Sequence, residues 1–192
     1  MRRRSVLATI LILGLASPVA AAPVAYAYDA EGSSVTAEAD YGAVAVRARM
    51  PVASASFTID FDRVANSRFA VTLRADRARS NLPFAASAIM GESVLDAANH
   101  PEIGFESSRV AATGAGRLAV TGRATIRGVT REVTLQAVIF RPRGSAPGHR
   151  DDLKVLITGT ISRAAFGAAG HAESVGDTVR LRLLLHLRRA AG

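Results

Sequence analysis

Four histidines are the residues of this sequence best suited to acid–base or metal chemistry, and none has a partner at a useful spacing. His100 precedes a proline, His149 lies in a Gly/Pro-rich segment, His171 follows a glycine, and His186 lies on the polar face of an alternating stretch. No two of them have the separation of two or four residues that places metal ligands on one face of a strand or helix. We therefore expect no metal site, and surface or capping roles for these side chains.

The sequence also gives no support for a catalytic serine nucleophile. Ser162 and Ser174 have no recognisable His/Asp partners, and GESV at residues 91–94 is not a nucleophile elbow. The sequence also has no Gly-rich phosphate loop between a strand and a helix. His100 and His171 are the only candidates for catalytic groups, and both are remote ones. We therefore expect a protein that is not an enzyme and has no cofactor.

Carboxylate pairs and the absence of cysteine lead to the same expectation. The aspartates at 60/62 and 151/152 fit turns and strand ends better than paired acid–base groups. The chain has no Cys, which excludes thiol catalysis, thiolate metal sites and disulfides. The core must therefore be large enough to be stable without cross-links.

The N-terminus has the layout of a secretory signal peptide. Three arginines follow Met1, an uncharged apolar run extends from Val6 to about Ala16, and small residues occupy 20–22. The run is shorter than the roughly 20 apolar residues that span a bilayer. We expect residues 1–22 to be a cleaved signal peptide, with cleavage as late as after Ala27 also fitting; an uncleaved anchor helix is the alternative. The expected location is the periplasm, and the remaining 28–192 suits one domain.

The charge balance points to a soluble surface. Loss of Arg2, Arg3 and Arg4 with the signal peptide lowers the formal net charge of +8 by three, to +5. An exported chain with this modest excess is not expected to bind nucleic acid. Attraction to anionic lipid or polymer is a secondary interpretation.

A period of two dominates the rest of the sequence and predicts about eight antiparallel strands. Between Arg79 and Ala98 the alternation stops, and apolar residues at helical spacing predict a short helical insertion near residues 82–98. The pattern therefore predicts an all-β domain, either a barrel or a sandwich. The expected strands lie around residues 35–40, 44–50, 54–61, 69–73, 103–110, 117–127, 133–139, 154–161 and 179–187.

The segment from Val120 to Ala137 predicts a hairpin whose apolar face is rich in small residues. Gly122, Ala124 and Ala137 share that face, and Gly128 lies at the break between the two alternating stretches. Small inward side chains leave lateral room, which we interpret as space for a ligand. Its arginines lie on the opposite face, which we interpret mainly as solvated.

Four motifs in order resemble the YceI-like family. They are HPEIGFESSRV at 100–110, VTGRATIRGVTREVTL at 120–135, GTISRAAFG at 159–167 and VGDTVRLRLLLHL at 175–187. YDAEGSSV at 28–35 is similar to the opening of the family pattern. The central helix departs from it: AASAIMGESVLDA replaces a stretch with Arg and His, and His100 stands where the family usually has Tyr.

The resemblance implies an eight-stranded antiparallel, lipocalin-like barrel that holds an isoprenoid lipid, such as a polyprenyl phosphate or a quinone, in a tunnel. By family analogy it also implies a b-type cytochrome as partner, and a homodimer is a further expectation. An envelope stress or structural protein with a filled barrel is the alternative.

The apolar inward positions and the central helix together give the expected tunnel lining. For the headgroup, Arg127 and Arg131 near the hairpin tip are the candidates. The expected lining residues are Phe57, Ile59, Phe69, Val71, Phe84, Ile89, Leu95, Phe105, Val120, Ala124, Leu135, Ala137 and Ile157.

Overall fold

The chain folds into a closed antiparallel β-barrel with one small helix, as seen in a computed structural model that describes residues 22–190. Nearly all of the expected signal peptide lies outside the described residues. The strands are β1 (Val24–Tyr41), β2 (Val44–Arg49), β3 (Val52–Ile59), β4 (Arg68–Arg74), β5 (Arg79–Ser80), β6 (Glu102–Gly114), β7 (Arg117–Ile126), β8 (Val129–Phe140), β9 (Asp152–Ser162) and β10 (Thr178–Arg189), and the helix is α1 (Ala85–Met90).

Eight of these strands form the barrel. Their order is β10-β9-β8-β7-β6-β4-β3-β1, and β1 pairs again with β10, which closes the sheet. The other two strands are short: β2 pairs with the second half of β1, and β5 pairs with β2. The expected eight-stranded barrel with a short helical insertion is confirmed, and the sandwich alternative is wrong.

The first strand is longer than the sequence pattern indicates. We expected a weak strand over 35–40, but β1 spans 18 residues, with a register shift between Asp29 and Ser34. Its first residues pair with β3 and its last six with β2. The bulge interrupts the alternation of inward and outward side chains, which is why the period of two is weak in this segment.

The helical insertion is also smaller than expected. Only Ala85–Met90 is α-helical, and turns continue to residue 99. The carbonyl of Ala88 accepts from the Gly91 N–H, where the chain leaves the helix. Two backbone bonds return from Leu95 and Ala97 to Ile89 and Met90, so the segment folds back on itself as a compact cap.

The β7–β8 hairpin has the expected alternation and turn. Leu118, Val120, Ala124 and Ile126 are buried, and the exposed arginines of β7 lie on the other face. Arg127 and Gly128 connect the strands with φ angles of 51° and 73°, the left-handed pair that a two-residue hairpin turn requires.

The barrel interior has two halves that are packed differently. The closed half contains the start of β1 and the end of β10, and the mouth half contains the β7–β8 turn and α1. Large buried side chains fill the closed half: Tyr26, Phe57, Ile59, Val110, Leu118, Leu153, Leu185 and Leu187. The loop from β8 to β9 lies over this end, where the Tyr26 hydroxyl donates to the Arg150 carbonyl at 2.6 Å.

The mouth half has a second buried cluster beneath the helical segment. It contains Leu95, Ala97, Ile126 and Phe166. Within residues 22–190, no helix is long and apolar enough to cross a membrane.

Candidate functional site: an apolar cavity in the mouth half

A cavity of about 450 Å³ occupies the mouth half of the barrel. Its wall combines inward side chains of the barrel strands with α1 and with the loop at 168–175. The volume lies within the range of ordinary small-molecule sites, and the wall is almost entirely apolar. The arrangement fits a slender hydrophobic ligand.

Eleven of the thirteen expected lining residues lie in the wall of this cavity. They are Phe69, Val71, Phe84, Ile89, Leu95, Phe105, Val120, Ala124, Leu135, Ala137 and Ile157. Their contact with a ligand stays a prediction, but the structure does bring their side chains together around one space.

Phe57 and Ile59 lie outside the wall, contrary to expectation. Both are on the part of β3 that enters the closed half, and each is 1% exposed. The Phe57 ring packs against the Phe69 ring with centroids 5.8 Å apart. The alternation places these side chains inward, but their depth in the barrel makes them core residues.

Several wall residues were missed by the sequence reasoning. The second half of β1 and β2 contribute a whole side of the cavity, and β10 contributes another. The signals were a weak alternation in β1 and a strong one in β10. The missed residues on these three strands include Val35, Ala37, Ala39, Tyr41, Val46, Ala48, Val179, Leu181 and Leu183.

The inward glycines do not leave room for a ligand, which corrects the interpretation of the hairpin. A Cβ on Gly122 would overlap the Glu106 carbonyl oxygen and would lie 2.7 Å from the Phe105 ring. A Cβ on Gly159 would lie 2.5 Å from Leu135 Cδ2. Larger side chains of neighbouring strands therefore cover both glycines, whereas Ala124 and Ala137 do face the cavity.

The mouth is bordered by two segments that are hydrogen bonded to their neighbours. The Gly170 N–H donates to the Ser93 carbonyl at 2.8 Å, which joins the 168–175 loop to the helical segment. The Gly176 N–H donates to the Asp40 carbonyl at 2.9 Å, which joins the end of the same loop to β1. Phe84 lines the cavity and is 66% exposed, so its side chain lies where the cavity meets solvent.

Arg127 and Arg131 do not line the cavity, contrary to the expected headgroup role. The two guanidinium Nη atoms of Arg127 donate to the Gly167 and Glu92 carbonyls at 3.0 and 2.9 Å. Arg131 Nε donates to the Ala165 carbonyl. Arg127 therefore joins the hairpin tip to the helical segment and to the turn at 164–167, and Arg131 joins it to the same turn.

Arg163 is the charged residue that the sequence reasoning missed. It lines the cavity, is 8% exposed, and is the one permanently charged wall residue in the described part of the chain. Its guanidinium donates to four carbonyls, those of Gly176 at 3.0 Å, Ala168 at 2.7 Å, Gly170 at 2.6 Å and Val175 at 2.8 Å. It therefore holds the loop that borders the mouth and places a cation in an apolar wall.

A network of partly exposed charges lies at the mouth end of the β1–β10 seam. Arg180 Nη2 lies 2.9 Å from Glu38 Oε1 and 2.6 Å from Asp40 Oδ1. The pKa of Glu38 is lowered most by a hydrogen bond from Arg47 and next by one from Arg180. A hydrogen bond from Arg180 also lowers the pKa of Asp40. The network joins the strands that close the barrel.

Three of the histidines, His100, His171 and His186, pack against neighbouring residues of the barrel and do not come together at one site. The His186 ring contacts Asp152 at 2.5 Å and Asp29 at 3.4 Å on the outer side of the β1–β10 seam. His100 packs over Gly128 at the hairpin turn, and His171 lies at the mouth. Within residues 22–190, no cluster of three His, Asp or Glu side chains could hold a metal ion.

Comparison with known proteins agrees with the barrel. A profile of the YceI-like domain matches residues 26–187. A UPF0312 protein from Vibrio parahaemolyticus is 28% identical over 138 residues, which cover 70% of this chain and 73% of that protein. A UPF0312 protein from Pseudomonas putida is 31% identical over 115 residues, which cover 60% of this chain and 59% of that one.

Solved structures share the same fold. BcnA of Burkholderia cenocepacia superposes with a TM-score of 0.74 at 21% identity, over 83% of this chain and 98% of BcnA. A polyisoprenoid binding domain from Saccharophagus degradans superposes with a TM-score of 0.63 at 13% identity, over 87% and 99%. Because the profile match spans nearly the whole described barrel, the chain belongs to the YceI-like family.

Proposed function

We propose that this protein is an exported carrier that binds or sequesters an amphiphilic isoprenoid-type lipid, a polyprenyl phosphate or a quinone. The observation that carries the proposal is the apolar cavity, which opens at a mouth bordered by Phe84 and the 168–175 loop. The similar fold of a polyisoprenoid binding domain supports the same ligand class.

Hydrophobic burial supplies enough affinity without a dedicated headgroup site. Each CH₂ group removed from water contributes about 0.8 kcal/mol. A few enclosed isoprene units therefore offset the cost of immobilising the ligand. Loss of the Arg and His of the family's helix pattern is compatible with binding for this reason.

Export to the periplasm is part of the proposal and rests on the N-terminal sequence. The arginines, the apolar run and the small residues at 20–22 support it. A b-type cytochrome and a second copy of the chain remain predicted partners by family analogy.

The alternative, an envelope stress or structural protein, would act through a filled barrel. The closed half is filled in this way, but the mouth half is not. The unfilled half favours lipid binding over this alternative. No observation favours a catalytic role, so none is proposed.

Lipid that co-purifies with the protein tests the proposal. The mature protein is purified from its own host without detergent and studied by native mass spectrometry, and extracted lipid is identified. We expect a bound isoprenoid species, with less of it in the mouth variant Phe84→Ala.

The matched control is Phe140→Ala, because Phe140 is also exposed, at 39%, but lies at the far end of β8 away from the cavity. Protein that is empty after purification and takes up no isoprenoid from vesicles would contradict the proposal. Equal lipid loss in the two variants would argue against the cavity as the site.

A further inference from the structure

The cavity ends halfway down the barrel. Phe69, Val120, Ala137 and Val155 form its floor; all four are buried and line it. Directly beneath lie Phe57, Leu118 and other fully packed side chains of the closed half, which do not line it. In the described part of the chain, the floor therefore stops a ligand from passing through the barrel.

The volume above this floor limits how much chain it can hold. A cavity of about 150 Å³ in another protein holds benzene, which has six carbon atoms. By the same ratio, the 450 Å³ here holds about eighteen carbon atoms. An isoprene unit has five carbons, so the space accommodates roughly three to four units.

The direction of entry follows from where the polar groups are. The floor residues are apolar, and a polar headgroup placed against them would lose its hydrogen bonds with water. The buried cation Arg163 belongs to the mouth half, where it holds carbonyls of the 168–176 segment. The chain of the ligand therefore points to the floor and its polar end to the mouth.

We infer that this protein selects short isoprenoid chains, of about three to four units, because the floor fixes the depth of the cavity. The inference rests on the proposed function and narrows its ligand class. A longer chain must leave its additional units at the mouth, in contact with water. Each additional unit exposed in this way is expected to lower occupancy by about tenfold or more, relative to the same unit in a bilayer.

Competition between chain lengths tests the inference. Delipidated mature protein is incubated with phosphatidylcholine vesicles that contain equimolar prenyl alcohols of two to nine isoprene units. The protein is separated from the vesicles, and the bound alcohols are quantified by mass spectrometry. We expect alcohols of up to about four units to be bound, and those of six units and more to be depleted by about a hundredfold or more.

The outcomes separate this inference from the function on which it rests. Uptake of the nine-unit alcohol in proportion to its abundance would overturn the length limit and leave the carrier function in place. Failure to take up an alcohol of any length would contradict the carrier function itself, and the length limit with it.

A variant at the floor tests the location of the limit. Ala137→Ile adds three carbons at the bottom of the cavity, so the longest bound chain is expected to shorten by about one unit. The matched control is Ala119→Ile on the outer face of the adjacent strand β7, which leaves the cavity unchanged. An unchanged length profile in Ala137→Ile, with the variant folded by circular dichroism, would overturn the assignment of the floor.

Discussion

Gly122 and Phe105 form an interlocked pair on adjacent strands of the mouth half. The Phe105 ring lies over the glycine at a distance that leaves no room for a Cβ, and the Glu106 carbonyl oxygen is closer still to the position of that atom. The glycine thus allows a large aromatic side chain to occupy the barrel wall. The absence of a side chain at Gly122 therefore determines where the Phe105 ring can pack in the barrel wall.

Gly122→Ala is expected to destabilise the fold by about 1–3 kcal/mol, because the new methyl group forces the β6 backbone and the Phe105 ring to shift. Urea unfolding followed by circular dichroism measures the change. The matched control is Gly104→Ala, since a Cβ at Gly104 meets no atom within 4 Å. A loss in Gly122→Ala no larger than in the control would contradict the close packing described here.

Arg163→Met is expected to lower the free energy of unfolding by about 3 kcal/mol or more, since one buried and three partly buried carbonyls lose their donor together. Chemical unfolding measures the loss, and faster hydrogen exchange at 168–176 would locate it. Arg123→Met is the control: Arg123 is an exposed arginine whose ion pair with Glu106 spans 3.5 Å, and about 0.5 kcal/mol or less is expected. Equal losses of unfolding free energy in the two variants would contradict the structural role of Arg163.

At the scale of elements, the seam between β1 and β10 closes the barrel and depends partly on charge. Glu38 pairs in register with Arg180, whose guanidinium also binds Asp40. Because the folded state lowers the pKa of both carboxyls, the unfolded chain binds more protons as the pH falls. The network therefore stabilises the fold above the ordinary carboxyl pKa, and its contribution is lost in acid.

Arg180→Met is thus expected to lower the melting temperature above about pH 5, with a difference from the unmodified protein that shrinks as the pH falls below the ordinary carboxyl pKa of about 4. Thermal unfolding across this pH range measures it. Arg182→Met is the control, because Arg182 is an exposed arginine on the same strand, and it should show a small difference that does not depend on pH. A pH-independent difference in Arg180→Met would show that the network does not act through these carboxyls.

The sequence predicted which elements form and which way their side chains point, but not how deep each side chain lies. Phe57 and Phe69 have the same pattern in neighbouring strands, and only the three-dimensional packing places one in the core and the other at the cavity floor. Arg163 was missed because its partners are backbone carbonyls of an irregular loop, which leave no signal in residue types. The bulge in β1 hid a further side of the cavity.

At the scale of the whole molecule, the barrel combines a densely packed closed half with an unfilled mouth half. Unfilled apolar volume lowers stability, because the side chains around it lack contacts on one side. A ligand that fills the cavity restores those contacts, and it binds the folded state alone. Binding and stability are therefore coupled in this protein.

Delipidated protein is expected to melt at a lower temperature than protein saturated with a short prenyl alcohol. At a free ligand concentration of about 100 times Kd the stabilisation is about 2.7 kcal/mol, or roughly 5–10 °C for a domain of this size. Differential scanning calorimetry of the two forms measures it. A melting temperature independent of ligand concentration would mean that the alcohol does not bind the folded cavity.

The pairing of β1 with β10 also has a consequence for when the barrel can form. Tyr26 lies opposite Arg189, so the closing seam joins residues separated by almost the whole described chain. Such long-range pairing carries a large loop-closure cost and slows folding. Until β10 arrives, β1 has a free edge along much of its length, and the chain stays open. The barrel therefore completes its fold only after the last strand has been synthesised and has paired with the first.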